Sequence, residues 1–234
     1  MEGFSRKHKK RIELYLRCLS SVCIDSMLGY YYIPYEFHPS ERWLRKGVMK
    51  KALADWKITD AASLKERIDF LLNDGHCQEY LDIHNRLSAL TLKARERYLE
   101  DAKDDPDYKK MIVVGKWMGM LPSADITALG GGWAILLSRI GRIYRFLSEE
   151  EAWEIKQKAA ALLQQHYRSW DEYLTAFAAG THFIKEDIAM KYSHHVISRA
   201  SNILGGSKLA YNKVPWDLSL LPDKYASGSM SASV

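Results

Sequence analysis

The chain has 234 residues, of which 47% are hydrophobic, and its 34 Lys+Arg against 29 Asp+Glu leave a formal net charge of +5. Such a length and apolar fraction give one large domain or two small ones with a proper core, and exclude wholesale disorder. The charge permits an acidic partner without demanding one.

With only six prolines and 14 glycines, long stretches run uninterrupted, which argues against an all-β sandwich of many short turns. Apolar residues recur at helical spacing almost throughout, and no strand-like alternation persists, so the expected class is all-α, with about eight helices in one compact domain. In the first segment Ile12, Tyr15, Leu16, Leu19, Val22 and Cys23 form one stripe. Tyr30, Tyr31, Tyr32 and Ile33 then run into Pro34 and Pro39, a break between helices. Ser40 and Glu41 open a helix through Trp43, Leu44, Val48 and Leu53.

Thr59 is expected to cap the next helix, with Leu64, Ile68, Leu71 and Leu72 as its buried face and Asn73-Asp74-Gly75 as its stop. One long helix is predicted from His76 to Asp101, followed by a solvated acidic hinge at 101–107 containing Pro106. That hinge is the best place to divide the chain. A buried helix over 111–120 ends near Pro122, and Ser123 or Asp125 caps another. The latter contains Gly130, Gly131 and Gly132, which cost about 1 kcal/mol each against alanine and therefore signal a kink or a close helix contact. Ser148 with Glu151, and Ser169 with Glu172, are capping-box spacings that open two further helices. A last helix is expected over 190–204. The helical domain then runs to residue 225 through an irregular segment anchored by Pro215-Trp216, and 226–234 form a loose tail.

Cys18, Cys23 and Cys77 are an odd set without C-x-x-C spacing, as expected of buried thiols in a reducing cytosol. Glu13 and Arg17 interrupt the stretch after the basic N-terminus, so no signal-peptide core is seen. No apolar run approaches the roughly 18 residues that span a bilayer. The expectation is a cytoplasmic protein with no membrane span.

Chemistry leaves fewer marks. Neither H-E-x-x-H nor the paired E-x-x-H of di-iron bundles occurs, and no metal or cofactor is expected. Nucleophile elbows and phosphate-binding glycine loops are also missing. The catalytic candidates are His76, His182 and Glu186, the last two one helical turn apart as an acid–base pair. The basic run of Arg6, Lys7, Lys9, Lys10 and Arg11 could grip an acidic partner or phosphates. Tyr30, Tyr31, Tyr32 and Trp216 sit in or beside loops, where aromatics anchor protein interfaces.

Two blocks then stand out. Residues 52–80 (ALADWKITDAASLKERIDFLLNDGHCQEY) carry a Trp-x-Ile helix end, a capped aliphatic helix and Gly-His before an aromatic. Residues 138–180 carry SRIGRIYRFLSEEEAWEI and QQHYRSWDEYLTAFAAG, and VPWDLSLL follows near the end. In this order they resemble the bacterial domain-of-unknown-function family number 1266. The Trp-Asp and following Arg that the family carries ahead of its second block have no equivalent here, where 129–133 stand instead. The resemblance implies a bacterial cytoplasmic protein without an established activity. Its recurring residues, here Trp56, Ile58, Gly75, His76, Trp153, Trp170 and Gly180, fit caps, stops and core aromatics as well as a site.

These observations favour a non-catalytic interaction protein, for instance an immunity or accessory protein that neutralises or escorts a toxin or secreted effector. The alternatives are an enzyme with a pocket around His76, and a nucleic-acid binder led by the basic N-terminal helix.

Overall fold

The computed structural model describes residues 3–24, 28–40, 43, 46–121, 125–190 and 214–222. The fold is all-α. Among the described residues the helices are α1 (Arg6–Ser21), the single turn α2 (Leu28–Tyr31), α3 (Lys46–Asp55), α4 (Ala61–Asn73), α5 (Cys77–Ser88), α6 (Leu92–Asp101), α7 (Tyr108–Trp117), α8 (Thr127–Tyr144), α9 (Glu149–His166) and α10 (Trp170–Ile184). None of them is long and apolar enough to cross a membrane. The helix expected over 190–204, apart from Met190, and the tail at 226–234 lie outside the described residues.

Sequence signals place most of the helix ends. Ser5 accepts a hydrogen bond from the His8 amide at the start of α1. Ser148 and Glu151 form the expected reciprocal box at α9, and Ser169 accepts from the Glu172 amide at α10. At α4 the cap is Asp60 rather than Thr59, because Asp60 and Ser63 exchange side-chain and backbone hydrogen bonds as a box of their own. The helix predicted from His76 to Asp101 is two helices. Thr91 caps α6 through the Ala94 amide, and Arg95 reaches back to the Leu87 and Leu90 carbonyls between the two helices. The acidic stretch after α6 is a turn, and α7 beyond it packs against α5, α6 and α10. Asp125 accepts from the Thr127 amide at the entry of α8.

Helix α8 is the axis of the molecule, packed against α9, α4, α10, α1 and α3. The helix runs unbroken through the glycines at 130–132, which let its neighbours close in. A methyl group on Gly130 would lie 2.1 Å from the Leu71 carbonyl oxygen of α4. One on Gly131 would meet Leu163 of α9 at 2.7 Å, and one on Gly132 the Tyr173 hydroxyl of α10 at 2.7 Å. The reverse fit occurs at Gly180, where a methyl would sit 2.8 Å from Leu129 of α8.

One charge is built into this core. Arg139 of α8 is 2% exposed. Its Nε donates to Glu36 Oε1 at 2.8 Å, its Nη1 to Ser20 Oγ at 2.8 Å and its Nη2 to the Tyr32 carbonyl at 3.2 Å. The guanidinium also lies 4.5 Å from the Phe37 ring centroid. Burial by itself would raise the Glu36 carboxyl, but the Arg139 charge and the Phe37 amide outweigh it and hold it at about 2, against an ordinary 4.5.

The segment 214–222 is strapped across α1, α9 and α10. Tyr15 donates to the Trp216 carbonyl at 3.0 Å, and Gln164 Nε2 to the Trp216 and Leu218 carbonyls. The Trp216 indole donates to the Tyr167 carbonyl at 2.6 Å and packs among Tyr15, Trp170 and Tyr173.

Two measurements test this construction. Gly130→Ala should lower the unfolding free energy by about 2 kcal/mol or more despite alanine's better helix propensity, because backbone blocks the methyl. Gly131→Ala should cost less, because its methyl meets the Leu163 side chain rather than backbone; urea denaturation would rank the two. The Glu36 contribution is fully present above pH 4.5 and is lost as pH falls from 4.5 towards 2. Glu36→Gln should flatten that part of the stability profile and, by leaving the Arg139 charge unpaired, cost on the order of 3 kcal/mol at neutral pH.

Candidate functional site

A cavity of about 600 Å³ opens between the end of α1, helix α3, helix α8 and the end of α10. Its size falls in the ordinary range for ligand and anchor pockets. Cys23 and Ile24 form one wall, Val48, Ala52 and Trp56 another, Trp133 and Leu136 the floor, and Ile184 the far edge. Trp56 and Trp133 meet edge to face at 5.5 Å. The polar groups are few: Lys51 and Asp55 one turn apart on α3, His76, and Lys185 just past α10.

His76 reaches the cavity through its backbone. Gly75 closes α4 with φ of +53°, and its amide and that of Asp74 both donate to the Phe70 carbonyl. His76 follows at φ of +69°, a left-handed conformation uncommon for any residue with a Cβ. It starts α5 without a side-chain cap. Its ring stands edge-on to Phe70 at 5.2 Å, with Nδ1 3.5 Å from Glu79 Oε2. Glu79 is in turn paired with Lys110.

The other two catalytic candidates do not join it. His182 is fully buried, and its Nδ1 accepts a hydrogen bond from the Trp117 indole at 3.1 Å. That places the ring proton on Nε2, which lies 4.0 Å from Asp187 Oδ2 and has no hydrogen-bond partner among the described residues. Burial lowers the His182 pKa, with Asp187 opposing and Lys185 assisting, so the ring stays neutral. Glu186 sits at φ of +49° and pairs with Lys109 at 3.6 Å. Neither residue lines the cavity, and the expected His182–Glu186 pair is replaced by His182 with Trp117 and Asp187. The helix ends at Ile184, so the i,i+4 register that would bring His182 and Glu186 together does not continue.

The loop aromatics divide in the same way. Tyr32 is 1% exposed and Trp216 8% exposed, so both are core residues and offer no free surface. Tyr31 is exposed and stacks with exposed Tyr35 at 4.9 Å. The side chain of Tyr30 lies outside the described residues. Trp43, read from sequence as part of one helix with Leu44, Val48 and Leu53, is helical but 80% exposed. Of the basic run, Arg6, Lys7, Lys10 and Arg11 are exposed, whereas Lys9 is half-buried with its ammonium 5.5 Å from the Trp153 ring centroid.

Sequence reasoning placed His76 at a pocket but missed its companions. Lys51 and Asp55 carry an i,i+4 spacing that could have singled out the polar edge of α3. Nothing in the sequence connects them to Lys185.

Comparison with known proteins adds one finding. No curated protein and no solved structure matches the chain. Residues 53–216, well over half of it, match the family model described as Protein of unknown function (DUF1266). Trp56, His76, Trp133 and Lys185, which meet at the cavity, all fall inside that span. The chain belongs to the DUF1266 family.

Proposed function

We propose that this protein works by binding another protein, with the cavity beside His76 receiving an apolar side chain from an acidic segment of the partner. The observation that carries the reading is the cavity itself, whose apolar floor of Trp133 and Leu136 is edged by Lys51 and Lys185 against the single acid Asp55. A desolvated pocket for an aromatic or aliphatic anchor, ringed by polar groups, is how binding energy is concentrated at protein interfaces. Two further features support it. Trp43, four residues ahead of the cavity-lining Gly47, is exposed, as are Tyr31 and Tyr35. The net charge of +5 favours encounter with an acidic surface. The role that fits is that of an immunity or accessory protein, acting in the cytoplasm, that neutralises or escorts a toxin or secreted effector.

Size-exclusion chromatography and calorimetry with the products of neighbouring genes test the proposal. A stable complex is expected. Trp43→Ala should weaken it by about tenfold or more, equivalent to about 1.4 kcal/mol, and Ala52→Trp, which fills the cavity, should abolish it. A chain that stays monomeric with every neighbouring product, or a complex indifferent to Ala52→Trp, would overturn the assignment.

A further inference from the structure

A second cavity, of about 250 Å³, lies between α1, α8 and α9, and its chemistry is the opposite of the first. Arg17 of α1, Arg142 of α8 and Lys156 of α9 converge on it, with Glu13, Glu36 and Glu149. Glu36 is committed to Arg139, whose guanidinium also donates to Ser20 and to the Tyr32 carbonyl. Of the remaining charged groups only Arg17 makes a hydrogen bond among the described residues. Arg17 uses its Nε on the Ile33 carbonyl at 2.7 Å. Arg142 and Lys156 have neither a hydrogen bond nor an ion pair among the described residues, and the same holds for Glu13 and Glu149.

Three cations and two carboxylates thus face one another across a void instead of pairing. Side chains this long would normally close on each other at a surface. Here helix packing holds them apart: Arg142 is one turn from buried Arg139, and Lys156 one turn from buried Ala152 and Ala160. Trp153 closes one side, with the Lys156 ammonium 5.7 Å from its ring centroid and that of Lys9 at 5.5 Å. Holding Lys156 charged here is unfavourable. Burial pushes its pKa down to about 8, with Arg139 and Arg142 assisting and Glu36 and Glu13 opposing.

We propose that this cavity binds a small organic oxyanion, a carboxylate or a phosphate ester, that also carries hydroxyl or amino donors. The oxyanion lies between Arg17, Arg142 and Lys156, and the donors reach Glu13 and Glu149. With the Arg139–Glu36 pair set aside, the lining carries three positive and two negative charges, so a monoanion neutralises it. The volume admits a molecule of about the bulk of eight waters, which suits a compound of three or four carbons. An anion bound by Arg in a partly desolvated site gains charge-assisted, bidentate hydrogen bonds.

Thermal shift and calorimetry with six probes test this. Glycerol 3-phosphate, D-glycerate and L-serine combine an anion with donors, inorganic phosphate and acetate supply the anion alone, and glycerol supplies donors alone. At least one of the first three should bind one to one and raise the melting temperature by linkage, at concentrations up to about 10 mM. It should bind more tightly than phosphate, acetate or glycerol. Arg142→Gln and Lys156→Met should each weaken that binding tenfold or more. Both should leave the ligand-free protein as stable as before or more so, because each removes a cation held among cations. Absence of binding by all six, equal binding of acetate or inorganic phosphate, or binding that survives both substitutions would overturn the proposal. None of these outcomes bears on the partner complex, whose cavity shares no residue with this one.

Discussion

Everything in this fold leans on how closely other helices approach α8. At Gly130 the neighbouring element is backbone, the Leu71 carbonyl, and at Gly131 and Gly132 it is Leu163 and Tyr173. Three consecutive glycines point in three directions around a helix, so a single run serves α4, α9 and α10 at once. The cost in helix propensity is offset by packing, since a helix buried on nearly every side gains more from close contact than it loses in backbone entropy. This is a tertiary use of glycine, with no turn and no unusual backbone angle at those positions.

The second constraint is Arg139, farther along the same helix. A buried guanidinium is tolerated only when it is paired and hydrogen-bonded, and here it is held from two places: Ser20 in α1, and the Tyr32 carbonyl and Glu36 carboxylate just after α2. The arrangement ties the loop after α2 to the core. It also explains why Tyr32, in a run of three tyrosines, turns inward while Tyr31 remains at the surface. The strap around Trp216 does similar work on another side of α1, where carbonyls of an irregular segment are taken by Tyr15, Gln164 and Trp170.

Both cavities follow from these constraints. Trp133 and Leu136 floor the apolar one because the Gly130–Gly132 run ahead of them has already drawn α4 and α10 close. The charged one sits one helical turn beyond Arg139, where Arg142, Arg17 and Lys156 face Glu13 and Glu149 with no ion pair between them among the described residues. Of the site residues considered from sequence, His76 was legible because Gly75-His76 is a local signal, a left-handed stop followed by a new helix. His182 and Glu186 were misleading because their spacing presumes a helix that ends at Ile184. Trp43 and Tyr35 were missed as surface residues, since the apolar character that marks an interface also marks a core.

Local chemistry in the chain determined the all-α class, the capping at Ser148 and Ser169, the stop at Gly75 and the family-bearing blocks, because each depends on residues within a turn or two of one another. Only the tertiary structure decided the rest. It split the helix expected between His76 and Asp101 at Thr91, where Arg95 takes carbonyls that a continuous helix would have used itself. It buried Tyr32 and Trp216, exposed Trp43, and left Arg17, Arg142 and Lys156 facing one cavity from three helices. The reason is separation along the chain. Periodicity reports which face of a helix is apolar, but the partner of that face, and the space left between partners, depend on residues a hundred or more positions away.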